Sequence, residues 1–438
     1  MNTSYANQDR FRDLLMVAAA SGKTVYENEI AKLNNMPDAR KAEGKHTLQD
    51  IFRRYWPEFE EEYRGRLRPA IISNVRRMIE CRDLSKGYLF YECPVCDNFH
   101  LTGLSCHSRF CPTCSQKYRE HRTIEIERKL LPVPHRHFVF TIAEELRDLF
   151  RIHRHLHDVL FDAVNATLTD IVQQSGIAKR TDRRAGFVCF LHTYGRDMKY
   201  NPHIHALVAE RTMDVSNTLR VFSYFHFARM RRFFQLVLLR KISDHLRCLE
   251  DKRPYRHFQK LRAWLANRYK DGFYMYGPGN NGKDSKVRIK KISAYIARYA
   301  SHPAISESRI LDVDHQTRKV TWYYDPHEDD GIEEEDKKMG RQVITEDVFD
   351  FIKRLIIHIP DKNFHLIRYY GFYSNRTTRV HPSEKRMESA PSATRRKNAL
   401  RWRTMIRRSF GFDPVLCACG TIMKLNLDLS HLPLKGGP

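Results

Sequence analysis

Two pairs of cysteines have the spacing of metal-binding knuckles. In each pair a proline and one further residue separate the thiols, and fourteen residues lie between the pairs, which are Cys93, Cys96, Cys111 and Cys114. Four thiolates on two tight turns suit tetrahedral Zn²⁺, which in a structural site keeps no open position. The spacing therefore predicts one structural zinc site. Other residues between the pairs could replace a thiolate or serve a second site, namely His100, Cys106 and His107.

A pair of histidines supplies a second candidate metal site. His203 and His205 fall in the strand-like run HIHALVA, where residues i and i+2 point to the same face. Both imidazoles could therefore reach one ion while Ile204 faces the core. A hard cation takes more than two ligands. His192 is the leading third ligand, because it ends the strand-like run expected to pair with the first, and Asp197 is the carboxylate alternative.

Two tyrosines could act as nucleophiles. Tyr295 and Tyr299 lie in a predicted helix over 292–302, where the i, i+4 spacing places both phenols on one face. Tyrosine is a poor nucleophile at neutral pH, since its pKa is about 10. A metal-polarised phosphate and nearby positive charge would compensate, and attack would leave the phosphate joined to tyrosine. Basic residues close to this pair could contact DNA, namely Arg288, Lys290, Lys291 and Arg298.

The elements predicted around these residues give an α+β fold. Strand-like alternation marks 137–141, 186–194 and 203–209. Helical periodicity marks 46–81, 144–174, 222–270 and 345–357. We expect an antiparallel sheet that holds the metal, with helices on one face, preceded by a helical zinc-binding domain.

The composition favours a nucleic-acid partner. Lysine and arginine total 76 against 52 aspartate and glutamate, a net charge of +24. A surplus of this size usually serves a polyanion. No apolar run approaches the roughly 20 residues that a membrane helix needs, and the N-terminus lacks an apolar signal core. We therefore expect a cytoplasmic protein. The ten cysteines are too sparse for a disulfide scaffold.

The order and spacing of these motifs resemble those of HUH single-strand nucleases, most closely the two-tyrosine transposases of the insertion sequence 91 family. The landmarks, within about residues 50–373, are YECPVC, SRFCPTC, FLHTYGRDMKYNPHIHALV, ISAYIARYASHPAIS and LIRYYGFYS. The resemblance implies an HUH-type sheet, catalytic Mg²⁺ or Mn²⁺ on His203 and His205, and Tyr295 and Tyr299 as nucleophiles. It also implies rolling-circle-like transposition in a bacterial nucleoid, in which single-stranded transposon ends and target DNA are nicked and rejoined through 5′-phosphotyrosine.

Two positions depart from the family pattern. Phe110 stands where relatives often carry a histidine before the second cysteine pair, which excludes a histidine ligand there. Near the C-terminus relatives often carry CPxCG, whereas only one residue separates Cys417 from Cys419 here. This difference argues against a second zinc site.

The expected organisation has five parts. They are a polar helical extension over 1–45, a zinc-binding and DNA-binding domain over 46–131, a catalytic domain over 132–330, a helix and strand extension over 331–373, and a basic, mobile tail over 374–438. The oligomeric state stays open between a monomer and a dimer on DNA.

Two alternative functions also stay open. A plasmid replication initiator or relaxase would share the chemistry but lack cysteine pairs in this position. The alternative from another class is a non-enzymatic, zinc-dependent DNA-binding protein.

Overall fold

A computed structural model describes residues 46–96, 98–174, 183–214, 218–222, 224–277, 304–326, 340–374, 403–404, 407, 413 and 415–432. Within these ranges the helices are α1 (Leu48–Glu62), α2 (Pro69–Ile79), α3 (Pro112–Glu127), α4 (Arg147–Ile152), α5 (Leu156–Gln173), α6 (Phe227–Cys248), α7 (Arg253–Arg268) and α8 (Val348–Ile356). The strands are β1 (Tyr88–Glu92), β2 (Phe99–Gly103), β3 (His135–Thr141), β4 (Arg184–Tyr194), β5 (Tyr200–Met213), β6 (Leu219–Val221), β7 (Met275–Tyr276), β8 (Ile310–Asp314), β9 (Lys319–Tyr324), β10 (Gln342–Asp347), β11 (Ile367–Gly371) and β12 (Lys424–His431). Among the described helices, none combines the length and apolar character that a bilayer crossing requires.

A six-stranded antiparallel sheet forms the centre of the fold. Its order is β11-β4-β5-β3-β7, and β6 pairs with β5 beside this path. The register between β4 and β5 sets His192 opposite His203 and Phe190 opposite His205. On the other side of β5, Val139 of β3 lies opposite His205. The α+β class and the pairing of the two histidine-bearing strands are therefore confirmed.

The two faces of the central sheet have different coverings. One face presents residues such as Phe140 and Ile204 to the largest core, which α5 and α6 complete. On the opposite face, Leu207 packs with Ile126 at the end of α3 and with Tyr373 after β11. Side chains alternate between faces along a strand. The long helices therefore lie on one face, and the histidines of β5 lie on the other.

A second core joins distant parts of the chain. Apolar residues recur along α1 at spacings of three and four, and among them Phe52 and Phe59 pack with Trp322 of β9 and Ile352 of α8. The strands β10, β9 and β8 form a three-stranded antiparallel sheet in this region. The predicted boundaries at 131 and 330 therefore do not separate the cores, because the first helices and residues 305–359 share one.

A third sheet joins an N-terminal hairpin to the last strand of the described chain. The hairpin of β1 and β2 gains β12 as a third strand, which pairs antiparallel with β1 and sets Asn426 opposite Phe90. A mobile tail was the expectation for 374–438; within that range the structure describes Lys424–His431 as the ordered strand β12. Leucine alternates with polar residues in KLNLDLSH, a strand pattern that the basic composition of the preceding segment obscures.

Candidate functional site

Three histidines meet on one face of the central sheet. The ring nitrogens that His192, His203 and His205 can offer lie within 4.8 Å of one another. Nε2 of His203 lies 3.1 Å from Nε2 of His205. Two ligands at right angles around an ion with bonds of about 2.1 Å would lie about 3.0 Å apart. The spacing therefore suits neighbouring positions on one octahedral ion.

Of the two candidates for a third ligand, the structure places His192 in this group. It is directly opposite His203 across the β4–β5 pair. Asp197 is not among the residues gathered there. Its carboxylate accepts a hydrogen bond of 3.0 Å from the backbone N–H of Lys199, within the turn that joins the strands. The carboxylate thus stabilises the turn.

The second ring nitrogens of this group are also engaged. Nδ1 of His203 lies 2.7 Å from the carbonyl oxygen of Asn201, and Nδ1 of His205 lies 3.0 Å from Nε2 of His137. Partners of this kind fix the orientation of metal-binding imidazoles. His137 was not predicted as a site residue, although alternation along HRHFVFT places it on the same face as Val139, which is opposite His205.

Burial keeps these imidazoles uncharged at neutral pH. Loss of hydration lowers the pKa of His203 to about 4 and that of His137 to about 3. The same cause holds the pKa of His205 well below its ordinary value. Metals bind the neutral imidazole. His203 and His205 therefore need no deprotonation before they can bind an ion at pH 7.

A pocket opens beside His192. Its lining includes Arg109, the ion pair of Arg154 with Asp361, and also Ala304 and Ile305. Guanidinium groups suit phosphate oxygens because they present several donors in a planar fork. A phosphodiester in this pocket would thus lie next to guanidinium groups and to His192.

The predicted nucleophiles Tyr295 and Tyr299 lie outside the described residues, and so do the predicted DNA-binding residues Arg288, Lys290, Lys291 and Arg298. The described chain on each side of them reaches the histidine group. The ring of Tyr276 in β7 has its centroid 6.4 Å from that of His137. Ala304 lines the pocket beside His192. The described residues that flank this segment, Tyr276 and Ala304, therefore lie close to the site.

Eight of the ten cysteines form two groups, in each of which the sulfur atoms lie within 4.8 Å of one another. The first group is Cys81, Cys106, Cys111 and Cys114. The second group is Cys93, Cys96, Cys417 and Cys419. The predicted single site is wrong in its pairing, because the knuckle at Cys93 and the knuckle at Cys111 belong to different groups.

The β1–β2 hairpin separates the two knuckles. Cys93 follows β1 directly, whereas Cys106 comes shortly after β2. Each strand has five residues and so spans about 17 Å at 3.4 Å per residue. Cysteines at opposite ends of this hairpin cannot share an ion with bonds of about 2.3 Å. The strand-like runs YLFYE, just before Cys93, and FHLTG, just before Cys106, indicate this separation.

Two helix ends position the first group. Cys81 follows α2, and Gln49 Nε2 donates a hydrogen bond of 2.9 Å to its carbonyl oxygen. Cys111 is the N-cap of α3, and Cys114 lies in its first turn. Sγ of Cys114 is 3.5 Å from that of Cys81 and 3.6 Å from that of Cys106. Thiolates around tetrahedral zinc lie about 3.8 Å apart, so the group fits zinc.

The chain has a three-histidine group on an antiparallel sheet and also two cysteine groups of zinc-site geometry. These features are typical of a metal-binding protein with a cysteine-rich domain. Residues 51–142 match the family described as "Transposase zinc-binding domain", and residues 186–380 match that described as "Putative transposase". Together these matches cover more than half of the chain. The chain belongs to the insertion sequence 91 family of transposases. It is thus a DNA-cleaving enzyme with a zinc-binding domain.

Two curated relatives support this assignment. The chain is 28% identical over 392 residues to the transposase for insertion sequence element IS801 of Pseudomonas savastanoi pv. phaseolicola, covering 87% of this chain and 89% of the relative. It is 26% identical over 343 residues to the putative transposase y4qJ of Sinorhizobium fredii, covering 75% and 80%. No solved structure shows significant similarity to the chain.

Proposed function

We propose that this transposase nicks and rejoins single-stranded DNA at transposon ends through a 5′-phosphotyrosine intermediate. The observation that carries the proposal is the three-histidine group on β4 and β5. His192, His203 and His205 would hold a catalytic Mg²⁺ or Mn²⁺, which would polarise a phosphodiester when bound. Such an enzyme would act at the bacterial nucleoid on both transposon and target DNA.

Tyr295 and Tyr299 would be the nucleophiles. The described flanks support this role, because Tyr299 precedes Ala304 by five residues, which reach at most about 18 Å. In the first step the phenol oxygen bonds to phosphorus, the bond from phosphorus to the 3′ oxygen breaks, and the phenol proton passes to that oxygen. In the rejoining step a DNA 3′-OH displaces the tyrosyl oxygen, which regains a proton. The ester conserves the bond energy, so no external energy source is needed.

Positive charge would hold the DNA at this site. Arg109 and Arg154 line the pocket beside His192, and the net charge of +24 favours a polyanion. The segment before Ala304 adds the basic residues Arg288, Lys290, Lys291 and Arg298.

The first cysteine group would bind structural Zn²⁺. All four of its members fall within the stretch that matches the zinc-binding domain family. Zinc binds thiolates, and the four sulfur atoms lie close enough together to share one ion. An ion here would connect the end of α2 to the start of α3 and so order the DNA-binding domain.

The decisive test is covalent capture of labelled single-stranded DNA that carries a transposon end. Wild-type protein should form a denaturation-resistant adduct when Mn²⁺ is added, and the His203→Ala/His205→Ala variant should bind DNA without forming it. Because the described ligands are all imidazoles, Mn²⁺ should act at lower concentration than Mg²⁺.

Phenylalanine variants test the nucleophiles, because they remove a hydroxyl and preserve the ring. Tyr295→Phe and Tyr299→Phe should each retain some adduct and fail in full transposition, since two linked cuts need two tyrosyl esters. The double variant should bind DNA and form no adduct. Tyr224→Phe, at an exposed tyrosine of the described chain, is the matched control. An adduct in the double variant would refute the assignment and direct attention to Tyr369 and Tyr370.

A further inference from the structure

We propose that the second cysteine group binds its own structural zinc ion and so fastens the C-terminal strand β12 to the N-terminal hairpin. Two of its thiols follow β1 and two precede β12, and 326 residues separate Cys93 from Cys419. The C-terminal thiols fall outside residues 51–142, the stretch that matches the zinc-binding domain family. The site is separate from the first cysteine group and from the histidines.

The sulfur positions fit a tetrahedral zinc site. Sγ of Cys93 lies 3.5 Å from that of Cys419, and Sγ of Cys96 lies 3.5 Å from those of both Cys417 and Cys419. Zinc with four thiolates at about 2.3 Å would hold the sulfurs about 3.8 Å apart. Covalently bonded sulfurs lie only about 2.05 Å apart, so these contacts are between free thiols. Four free thiols so close together fit a soft cation.

The backbone around these thiols forms two tight turns. Cys93 N–H donates to the carbonyl of Asn98, and Cys417 N–H donates to that of Thr421, both at 2.9 Å. Gly420 has a φ of +84°, a left-handed conformation that glycine adopts without strain. This turn brings Cys417 and Cys419 to one cluster despite their one-residue separation. The missing residue of the CPxCG pattern therefore does not exclude a zinc site.

An amide donor also faces the sulfurs. Nδ2 of Asn98 lies 3.4 Å from Sγ of Cys96 and 3.7 Å from Sγ of Cys417. Donors placed behind metal ligands orient them and stabilise their charge. A single side chain thus contacts one thiol from each end of the chain, as expected for one shared ion.

The leucines of β12 itself are only partly buried. Its leucines Leu425, Leu427 and Leu429 are 44%, 63% and 40% exposed. Burial stabilises at about 25 cal/mol per Å² of apolar surface removed from water, so these side chains contribute little to docking. Metal binding contributes folding free energy directly. Zinc beside the start of β12 would add to the small core in which Val415 and Met423 pack with Tyr91, and the domain would be complete only with β12 in place.

Zinc content of the full-length protein tests the proposal. The measurement is made by native mass spectrometry in the His203→Ala/His205→Ala background, so that zinc on the histidines does not enter the count. We expect two ions per chain, and one after Cys417→Ser/Cys419→Ser. Cys248→Ser, at an exposed cysteine outside both groups, is the control and should keep two. One ion in the parent, or two in the double serine variant, would overturn the proposal.

Alkylation of the otherwise unaltered chain keeps the test decisive if the serine variant misfolds. Before chelation, Cys248 should react with N-ethylmaleimide and Cys419 should not, although both are exposed. After chelation, Cys93, Cys96, Cys417 and Cys419 should become reactive. Rapid labelling of Cys419 before chelation would contradict a metal at this site.

Discussion

Replacing His137 with phenylalanine should weaken metal binding at the histidine group while leaving the sheet folded. The imidazoles of His137 and His205 lie with centroids 5.2 Å apart and planes inclined by 21°. Their nitrogens make the 3.0 Å contact that holds His205 in place. Phenylalanine keeps a ring in this position and removes the nitrogen. The variant therefore isolates the orienting contact from the packing.

The expected size of the effect follows from the role of His137. Partners that orient metal-bound histidines are typically worth 10- to 100-fold in metal affinity, which corresponds to about 1.4–2.7 kcal/mol. Burial lowers the pKa of His137 to about 3, so its contact with His205 joins uncharged rings at pH 7. Neutral partners are weaker than charged ones. We expect a loss of affinity of about tenfold, near the lower end of that range.

The assay is a Mn²⁺ titration of DNA adduct formation. The half-saturating Mn²⁺ concentration should rise about tenfold in His137→Phe, and the adduct yield at saturating Mn²⁺ should return close to the wild-type level. His135→Phe is the control, since this buried histidine of the same strand contacts the hydroxyl of Tyr373 at 2.8 Å and is not in the metal-site group. A His137→Phe titration that superimposes on wild type would refute the orienting role. So would a variant that stays inactive at every Mn²⁺ concentration.

Two further predictions concern stability. Burial lowers the pKa values of His135 and His358 to about 4 and that of His157 to about 3, against about 6.5 in an unfolded chain. Between pH 6.5 and 4 the unfolded chain therefore binds protons that the folded chain does not. The free energy of unfolding should fall by up to about 1.4 kcal/mol per pH unit for each group as pH decreases; equal urea midpoints at pH 7 and 5 would contradict this. Glu210→Ala should cost about 3–5 kcal/mol at pH 7, because Arg136 and Glu210 are 1% and 2% exposed and paired at 2.6 Å. Arg136→Met/Glu210→Met should recover most of that loss in urea denaturation, and a double variant no better than Glu210→Ala would argue against the pair.

The part of the site that local patterns could predict is the part built on neighbouring strands. Alternation in HIHALVA predicts that His203 and His205 share a face, and a hairpin with the preceding run brings His192 opposite. These contacts depend on the two-residue alternation of side chains along a strand and on a short turn between the strands. Both features can be recognised in the sequence. His137 required one more step, the register of a third strand that lies earlier in the chain.

The cysteine groups show why local spacing was insufficient elsewhere. The two CPxC knuckles are alike, and spacing alone favours joining them. The hairpin between them keeps them apart, and each then finds thiols that no short motif includes. Cys81 lies before the first knuckle, and Cys417 lies more than 300 residues after it. Which distant thiols meet is decided by tertiary packing, and a spacing rule does not contain that information.

The shared core between the N-terminal helices and residues 305–359 has a mechanical consequence for catalysis. The segment that carries the proposed nucleophiles leaves β7 beside His137 and re-enters the described chain at Ala304. Ile305 is buried in the core that contains Phe52 of α1, and the backbone N–H of Leu48 donates to a carboxylate oxygen of Glu307 at 2.9 Å. One end of the segment is therefore attached to the sheet that carries the histidine group, and the other to helices that fall mostly in the zinc-binding stretch. Loosening the first cysteine group should thus impair adduct formation as well as DNA binding, because it releases one of the two attachments of the segment that carries the proposed nucleophiles.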